Sequence, residues 1–136
     1  MKKTDVVYCG IFFDKFPYKG VLAKQIPNIH VTHMYRPMPM KINPSFFGKE
    51  VHATIHGYAI DVDNEGFLVS LHCDDEALAT ALKEIAVPHI TISVSESGKP
   101  VNTGKLRFRP TNEFVVTGKY GAFCTDKNVH YSIEEE

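Results

Sequence analysis

From Val6 to Phe123 the sequence runs twice through one order of elements, and this duplication constrains the fold more than any other feature. Val6 to Phe13 is rich in β-branched and aromatic residues, as a buried strand is. Pro17, Gly20 and Pro27 punctuate residues 14–28 and leave room for one short helix around Lys19 to Gln25. Ile29 to Tyr35 reads as a second strand, the prolines between Arg36 and Pro44 impose a loop, and Glu50 to Ile60 alternates as a third strand. The turn signal Asp63-Asn-Glu-Gly66 then opens a second pass, beginning with the strand Phe67 to Cys73. Asp74 is a suitable N-cap, with Asp75 and Glu76 in a first turn where the helix dipole favours negative charge. Ala77, Leu78, Ala81, Leu82 and Ile85 recur at helical spacing, which predicts a helix over residues 75–85. Pro88 leads into the strand His89 to Val94, a polar loop covers Ser95 to Lys105, and Glu113 to Phe123 is a last long strand before an acidic, solvated tail.

Each pass alone would leave one face of a three-stranded sheet covered by a single helix. The expected solution is one α+β domain with two pseudo-equivalent lobes, residues 6–60 and 66–123. Two antiparallel sheets would form a central cleft, with the helices outside. A chain of 136 residues, 43% hydrophobic and 23% charged, has room for one such core and is not disordered. The longest uncharged apolar run, Val6 to Phe13, is too short to cross a bilayer, so no membrane partner is expected. Met1-Lys2-Lys3 before an apolar run imitates an export signal, but Asp5 interrupts it and Asp14-Lys15 stands where small residues belong. Cys9, Cys73 and Cys124 are odd in number and widely spaced, which suits reduced thiols in a cytoplasmic setting. A net charge of −1 supplies no global field to hold long duplex DNA.

The chemistry concentrates in one slot of each half. The strand after the predicted helix begins His30-Val31-Thr32 in the first half and His89-Ile90-Thr91 in the second. Alternation along a strand puts His and Thr on one face and the aliphatic residue on the other. A pseudo-twofold axis would make the two pairs face each other. Two imidazoles flanking one atom form an acid–base pair: one removes a proton from the attacking oxygen, the other protonates the leaving oxygen. Two threonine hydroxyls beside them donate to non-bridging oxygens as charge builds there. A phosphodiester is the natural substrate for such a set, and no metal or cofactor is required. A third match, His52-Ala-Thr54, lies on a different strand, outside the duplicated slot.

Paired His-x-Thr motifs, one per lobe of a two-lobed α+β domain, resemble the 2H phosphoesterase superfamily. Its members include RNA 2′,3′-cyclic phosphodiesterases, the cyclic phosphodiesterase domain of tRNA ligases, and phage anti-defence enzymes that degrade cyclic oligonucleotide signals. The resemblance implies metal-independent attack at phosphorus, with His30 and His89 as base and acid and Thr32 and Thr91 as phosphate donors. Its partners would be a nucleotide, a cyclic oligonucleotide or an RNA end. The family usually carries a hydrophobic residue at the fourth motif position, where this chain has His33.

Further candidates for the rim of the site are Tyr8, Lys99, Asn102 and Lys105, the lysines as steering charges for an anion. Tyr35, Tyr120 and Phe123 are candidates for stacking on a base. Gly98 to Lys105 imitates a phosphate loop but has the wrong spacing, ends in Leu106 and is followed by no helix. His52 and His56 on one strand lie about 13 Å apart by rise, too far for one metal ion. An odd offset sends His30 and His33 to opposite faces. The expected function is therefore a hydrolase acting on a cyclic phosphodiester. A non-catalytic protein sequestering the same ligand, or an interaction module with incidental motifs, are the competing classes.

Overall fold

The computed structural model describes residues 1–135. Its strands are β1 (Val6–Phe12), β2 (Lys24–Gln25), β3 (His30–Tyr35), β4 (Glu50–Ile60), β5 (Asn64–His72), β6 (His89–Val94), β7 (Arg109–Cys124) and β8 (Val129–His130). One α-helix, α1 (Glu76–Leu82), is accompanied by short 3₁₀ turns, among them Pro100–Lys105. The fold is thus mixed α+β, built mainly from one antiparallel sheet in the order β2-β6-β5-β4-β7-β1-β3, with β8 paired to β7. Among the described residues no helix is long and apolar enough to cross a membrane.

Alternation sets the two faces. Along β4 the residues Val51, Ala53 and Ile55 are fully buried while His52, Thr54 and His56 point the other way. The buried face gathers Ile11, Val31, Phe67, Ile90 and their neighbours, closed by Leu78 and Leu82 of α1. The carboxylate of Asp75 caps α1 by accepting from the Leu78 N–H at 2.8 Å. Beyond Leu82 the chain tightens into i→i−3 bonds that carry it to Ile85, so the apolar periodicity outlasts the α-helix itself.

Two expectations are corrected. No helix forms around Lys19 to Gln25; the segment is a loop that lies against β6 and pairs with it only at Lys24 and Gln25. Its backbone donors go to side chains there: the Val21 N–H to Glu65 Oε1 at 2.8 Å and the Leu22 N–H to Ser93 Oγ at 3.2 Å. Lys24 and Gln25 then pair with Val94 and Ser93. A segment bounded by Pro17 and Pro27, with Gly20 pressed onto Ile92 and Ser93, makes better bonds this way than as one isolated turn of helix. The two separate sheets are also replaced by one continuous sheet, because the halves exchange a strand. β4, from the first half, pairs with β5 of the second, and β7 inserts between β4 and β1.

That exchange is symmetric. The central order β3-β1-β7-β4-β5-β6 reads the same from either end when β1 exchanges with β5, β3 with β6 and β4 with β7. The two motif strands thus hold equivalent places toward opposite ends of the sheet. The sheet bends back on itself, so that β3 and β6 approach within 8 Å between Cα atoms without pairing.

Candidate functional site

The local frame of the two His-x-Thr strands is built twice in the same way. His30 stands opposite Phe12 and Thr32 opposite Gly10; His89 stands opposite Leu68 and Thr91 opposite Gly66. In each case the register slips by one residue just beyond the glycine, a β-bulge that leaves His33 in one strand and Ile92 in the other unpaired. A Cβ on Gly10 would stand 3.0 Å from the Val31 carbonyl carbon, and one on Gly66 3.3 Å from the Ile90 carbonyl carbon, with each carbonyl oxygen nearer still. Only glycine admits the motif strand so closely. The residue before each histidine is fixed alike: the Phe13 N–H donates to Ile29 O at 2.9 Å, and the Val69 N–H to Pro88 O at 3.1 Å.

The imidazoles share an anchor as well. His30 Nδ1 lies 2.6 Å from the Asn28 carbonyl oxygen, and His89 Nδ1 lies 2.8 Å from that of Val87. A carbonyl only accepts, so Nδ1 of each ring carries the proton and Nε2 is left for chemistry. His30 is held below its ordinary value of 6.5, chiefly by burial, against the pull of the Asn28 carbonyl and with help from the nearby charge of His89. The strands that carry the two rings, β3 and β6, approach within 8 Å between Cα atoms.

The sequence candidates separate on this frame. Tyr8 stacks on His30 with ring centroids 4.6 Å apart, and Phe123 stacks on Tyr8 in turn. Burial pushes the Tyr8 phenol up to about 12. Phe12 completes an aromatic floor 5.5 Å from His30, and a groove of about 300 Å³ lined by Phe12, Asn28 and Tyr131 adjoins it. Tyr35, 65% exposed, stands opposite Tyr8. The bulge at His33 restores it to the His30 face, which strict alternation would deny it. Thr32 is half-buried on that face. Lys99, Asn102 and Lys105 are exposed on the loop that leans over β6, where Gly104 packs against the His89 ring.

Two candidates are placed differently. Tyr120 is a core residue, 1% exposed, packed against Phe46 and Phe47, so it offers no face to a base. Its hydroxyl lies 2.6 Å from His33 Nδ1, and the Glu84 carboxylate takes His33 Nε2 at 3.1 Å. The polar fourth motif residue is thus a satisfied, inward-turned bulge histidine. Thr91 is 7% exposed, and its hydroxyl is engaged with Thr103 Oγ1 at 2.8 Å and Pro100 O at 3.1 Å. Asn64, which occupies the place that Tyr8 holds in the other half, donates to Thr103 at 3.0 Å. Among the described residues the Thr32 hydroxyl enters no such network, so the pseudo-symmetry of the backbone is broken in the chemistry of the threonines.

Sequence reasoning missed Gly10, Gly66, Asn28, Val87, Asn64 and Thr103. Gly10 inside a strand pattern was an available signal; Gly66 sat in a turn pattern, although β5 starts at Asn64, and the carbonyl anchors act through backbone and leave no residue-type trace. The third match, His52 and Thr54, lies mid-sheet, where His52 Nδ1 meets Thr117 Oγ1 at 2.8 Å and Thr54 meets His72 Nε2 at 3.1 Å. Among the described residues no three His, Cys, Asp or Glu side chains are grouped as metal ligands. No protein-family model matches this chain, and no curated protein is detectably similar to it.

Proposed function

We propose that the protein is a phosphodiesterase of the two-histidine type, a two-lobed 2H-like domain whose lobes have exchanged β4 and β7, acting on a cyclic phosphodiester of a nucleotide or an RNA end. The observation that carries this reading is the repeated frame around His30 and His89: the same glycine, the same bulge, the same preceding carbonyl bond and the same Nδ1 anchor. A satisfied structural histidine has no need of a partner built to the same plan in a distant stretch of chain.

In this reading His30 is the base, because burial and the charge of His89 favour its neutral form. Its Nε2 takes a proton from water as the water oxygen bonds to phosphorus. The bond from phosphorus to the ribose oxygen breaks, and the Nε2–H of protonated His89 supplies that oxygen's proton. One water is consumed, and the ring opens to a phosphomonoester. Thr32 donates to a non-bridging oxygen, and Tyr8 with Phe123 forms the apolar wall beside His30.

The test is turnover of uridine 2′,3′-cyclic phosphate, cyclic dinucleotides and cyclic-phosphate-ended RNA in the presence of EDTA. Product formed by the wild type and lost in both His30→Ala and His89→Ala supports the proposal. One observation favours a second reading, ligand sequestration without turnover: the Thr91 hydroxyl is already committed inside the protein. Stoichiometric binding without product would favour that reading and refute the first.

A further inference from the structure

The chain carries a net charge of −1, yet residues 97–112 contain Lys99, Lys105, Arg107 and Arg109 and no acidic residue. Among the described residues none of these four cations has a carboxylate partner. From Lys105 to Arg109 exposure alternates: Lys105, Arg107 and Arg109 face solvent, while Leu106 and Phe108 are half-buried. This segment runs on from the His89 side of the sheet. Gly104 packs against the His89 ring, and Phe108 covers Gly57 beside Leu68, the residue opposite His89. At its far end Arg107 and Arg109 line one depression of about 360 Å³ with Tyr58, Ile60 and Thr111.

We infer that Lys105, Arg107 and Arg109 form a track for the backbone of a linear single-stranded oligonucleotide whose terminal phosphate lies at the histidine pair. Lys105 closes the 3₁₀ turn and Arg109 opens β7, so three exposed cations leave the His89 side within five residues, with room for successive phosphates to meet successive cations. An isolated mononucleotide or a small closed ring has no phosphates to place along the track. The inference rests on the two-histidine reading only for where the strand ends; the track itself is a separate surface with its own measurement.

The probe is fluorescein-labelled hexauridylate with a 3′-phosphate, followed by fluorescence anisotropy in EDTA from 50 to 500 mM salt, with uridine 3′-phosphate as competitor. Three phosphate contacts on a single strand give a slope of log K against log salt near −2, so the tenfold rise in salt weakens wild-type binding about 100-fold. Arg107→Gln/Arg109→Gln is expected to retain one contact, a slope near −0.7 and about a fivefold loss over the same range. Arg107→Lys/Arg109→Lys is expected to keep the wild-type slope. Hexauridylate binding no tighter than uridine 3′-phosphate, or an unchanged slope in the glutamine variant, would overturn the track. Tight, salt-dependent hexamer binding without turnover of any cyclic-phosphate substrate would leave the track standing and remove the catalytic reading. Turnover with no length preference would do the reverse.

Discussion

Alanine at Gly10 or Gly66 tests the duplicated frame at its tightest point. A methyl group on Gly10 would meet the Val31 carbonyl carbon at 3.0 Å and Thr32 Cα at 3.2 Å; on Gly66 it would meet the Ile90 carbonyl carbon at 3.3 Å. Unstrained carbon contacts need about 3.5–4.0 Å, and the Val31 and Ile90 carbonyl oxygens stand nearer than the carbons, so each motif strand must shift by roughly an ångström. At Gly10 the obstacles are all backbone atoms held by ladder bonds; at Gly66 they are the Ile90 carbonyl and the methyl of the buried, hydrogen-bonded Thr103, which has little room to swing aside. Overpacking of this kind costs about 1–3 kcal/mol, and the expected loss here is about 2–3 kcal/mol because ladder bonds stretch as well. For a domain of this size that is roughly 6–12 °C in Tm. The same displacement moves an imidazole relative to phosphorus, and an ångström of misplacement costs about 100-fold in rate. Urea denaturation with the m-value monitored, together with turnover of a cyclic-phosphate substrate, reads both effects. Gly57→Ala is the comparison, since its methyl would stand 3.1–3.4 Å from Phe108, Arg109 and Leu68 atoms, two of them side-chain carbons. It should cost less than half as much. If Gly10→Ala and Gly66→Ala both match the wild type in midpoint and turnover, the close approach is not what fixes the motif strands.

Three further outcomes are expected. His30 is held below 6.5, so as the base it stays neutral into mildly acidic solution, and the acid limb of kcat/KM should fall below pH 6.5; a limb at or above 6.5 would contradict its assignment. Glu65 is fully buried; burial would raise its carboxyl, but donors from Ser93, Tyr58, the Val21 N–H and Tyr18 outweigh this and hold it below 4.5. Its contribution is therefore present above the unfolded value and lost as pH falls through the folded one. At pH 7, Glu65→Ala should cost about 3–5 kcal/mol in urea denaturation, as breaking a buried network does. Glu65→Gln should cost less, because the Tyr58 and Tyr18 hydroxyls can turn to accept its amide; equal losses would refute that account. Cys9 and Cys124 are fully buried, with burial pushing the Cys9 thiol up to about 12, so iodoacetamide at pH 8 should modify Cys73 first in the native protein and all three thiols only in urea.

What the residues declared and what they concealed divides along physical lines. Local signals were legible: the alternation of β4, the apolar spacing of α1 and the strand His89 to Val94 needed only neighbours in sequence, whereas the cap falls on Asp75 and not on Asp74, because two adjacent aspartates offer the same side chain to the same turn. The His-x-Thr slots were legible for the same reason. Around Lys19 to Gln25 the prolines mark a break, and nothing local excludes a short helix in the gap. The competing state was chosen by Glu65 and Ser93, more than forty positions away in sequence. Tyr120 looked like any strand aromatic, and its inward orientation follows from a register with Ile11 that nothing local specifies. The exchange of β4 and β7 was likewise invisible, because alternation says which face a strand buries and not which strand lies beside it.

That exchange bears directly on the site. Two lobes, each with its own sheet, would meet only through side chains, and the separation of His30 and His89 would then follow any rocking between them. Here β3 hangs on β1, β1 on β7, β7 on β4, β4 on β5 and β5 on β6, an unbroken ladder of backbone hydrogen bonds from one motif strand to the other. The bulges and glycines then set each strand's height on that ladder, and the Asn28 and Val87 carbonyls set each ring's orientation. An acid and a base that act on one phosphorus atom must hold their spacing through the reaction, and rigid elements do this better than loops. On the two-histidine reading, a strand shared in each direction gives the described residues, among which there is one α-helix, the stiffness that larger lobes would otherwise supply by packing.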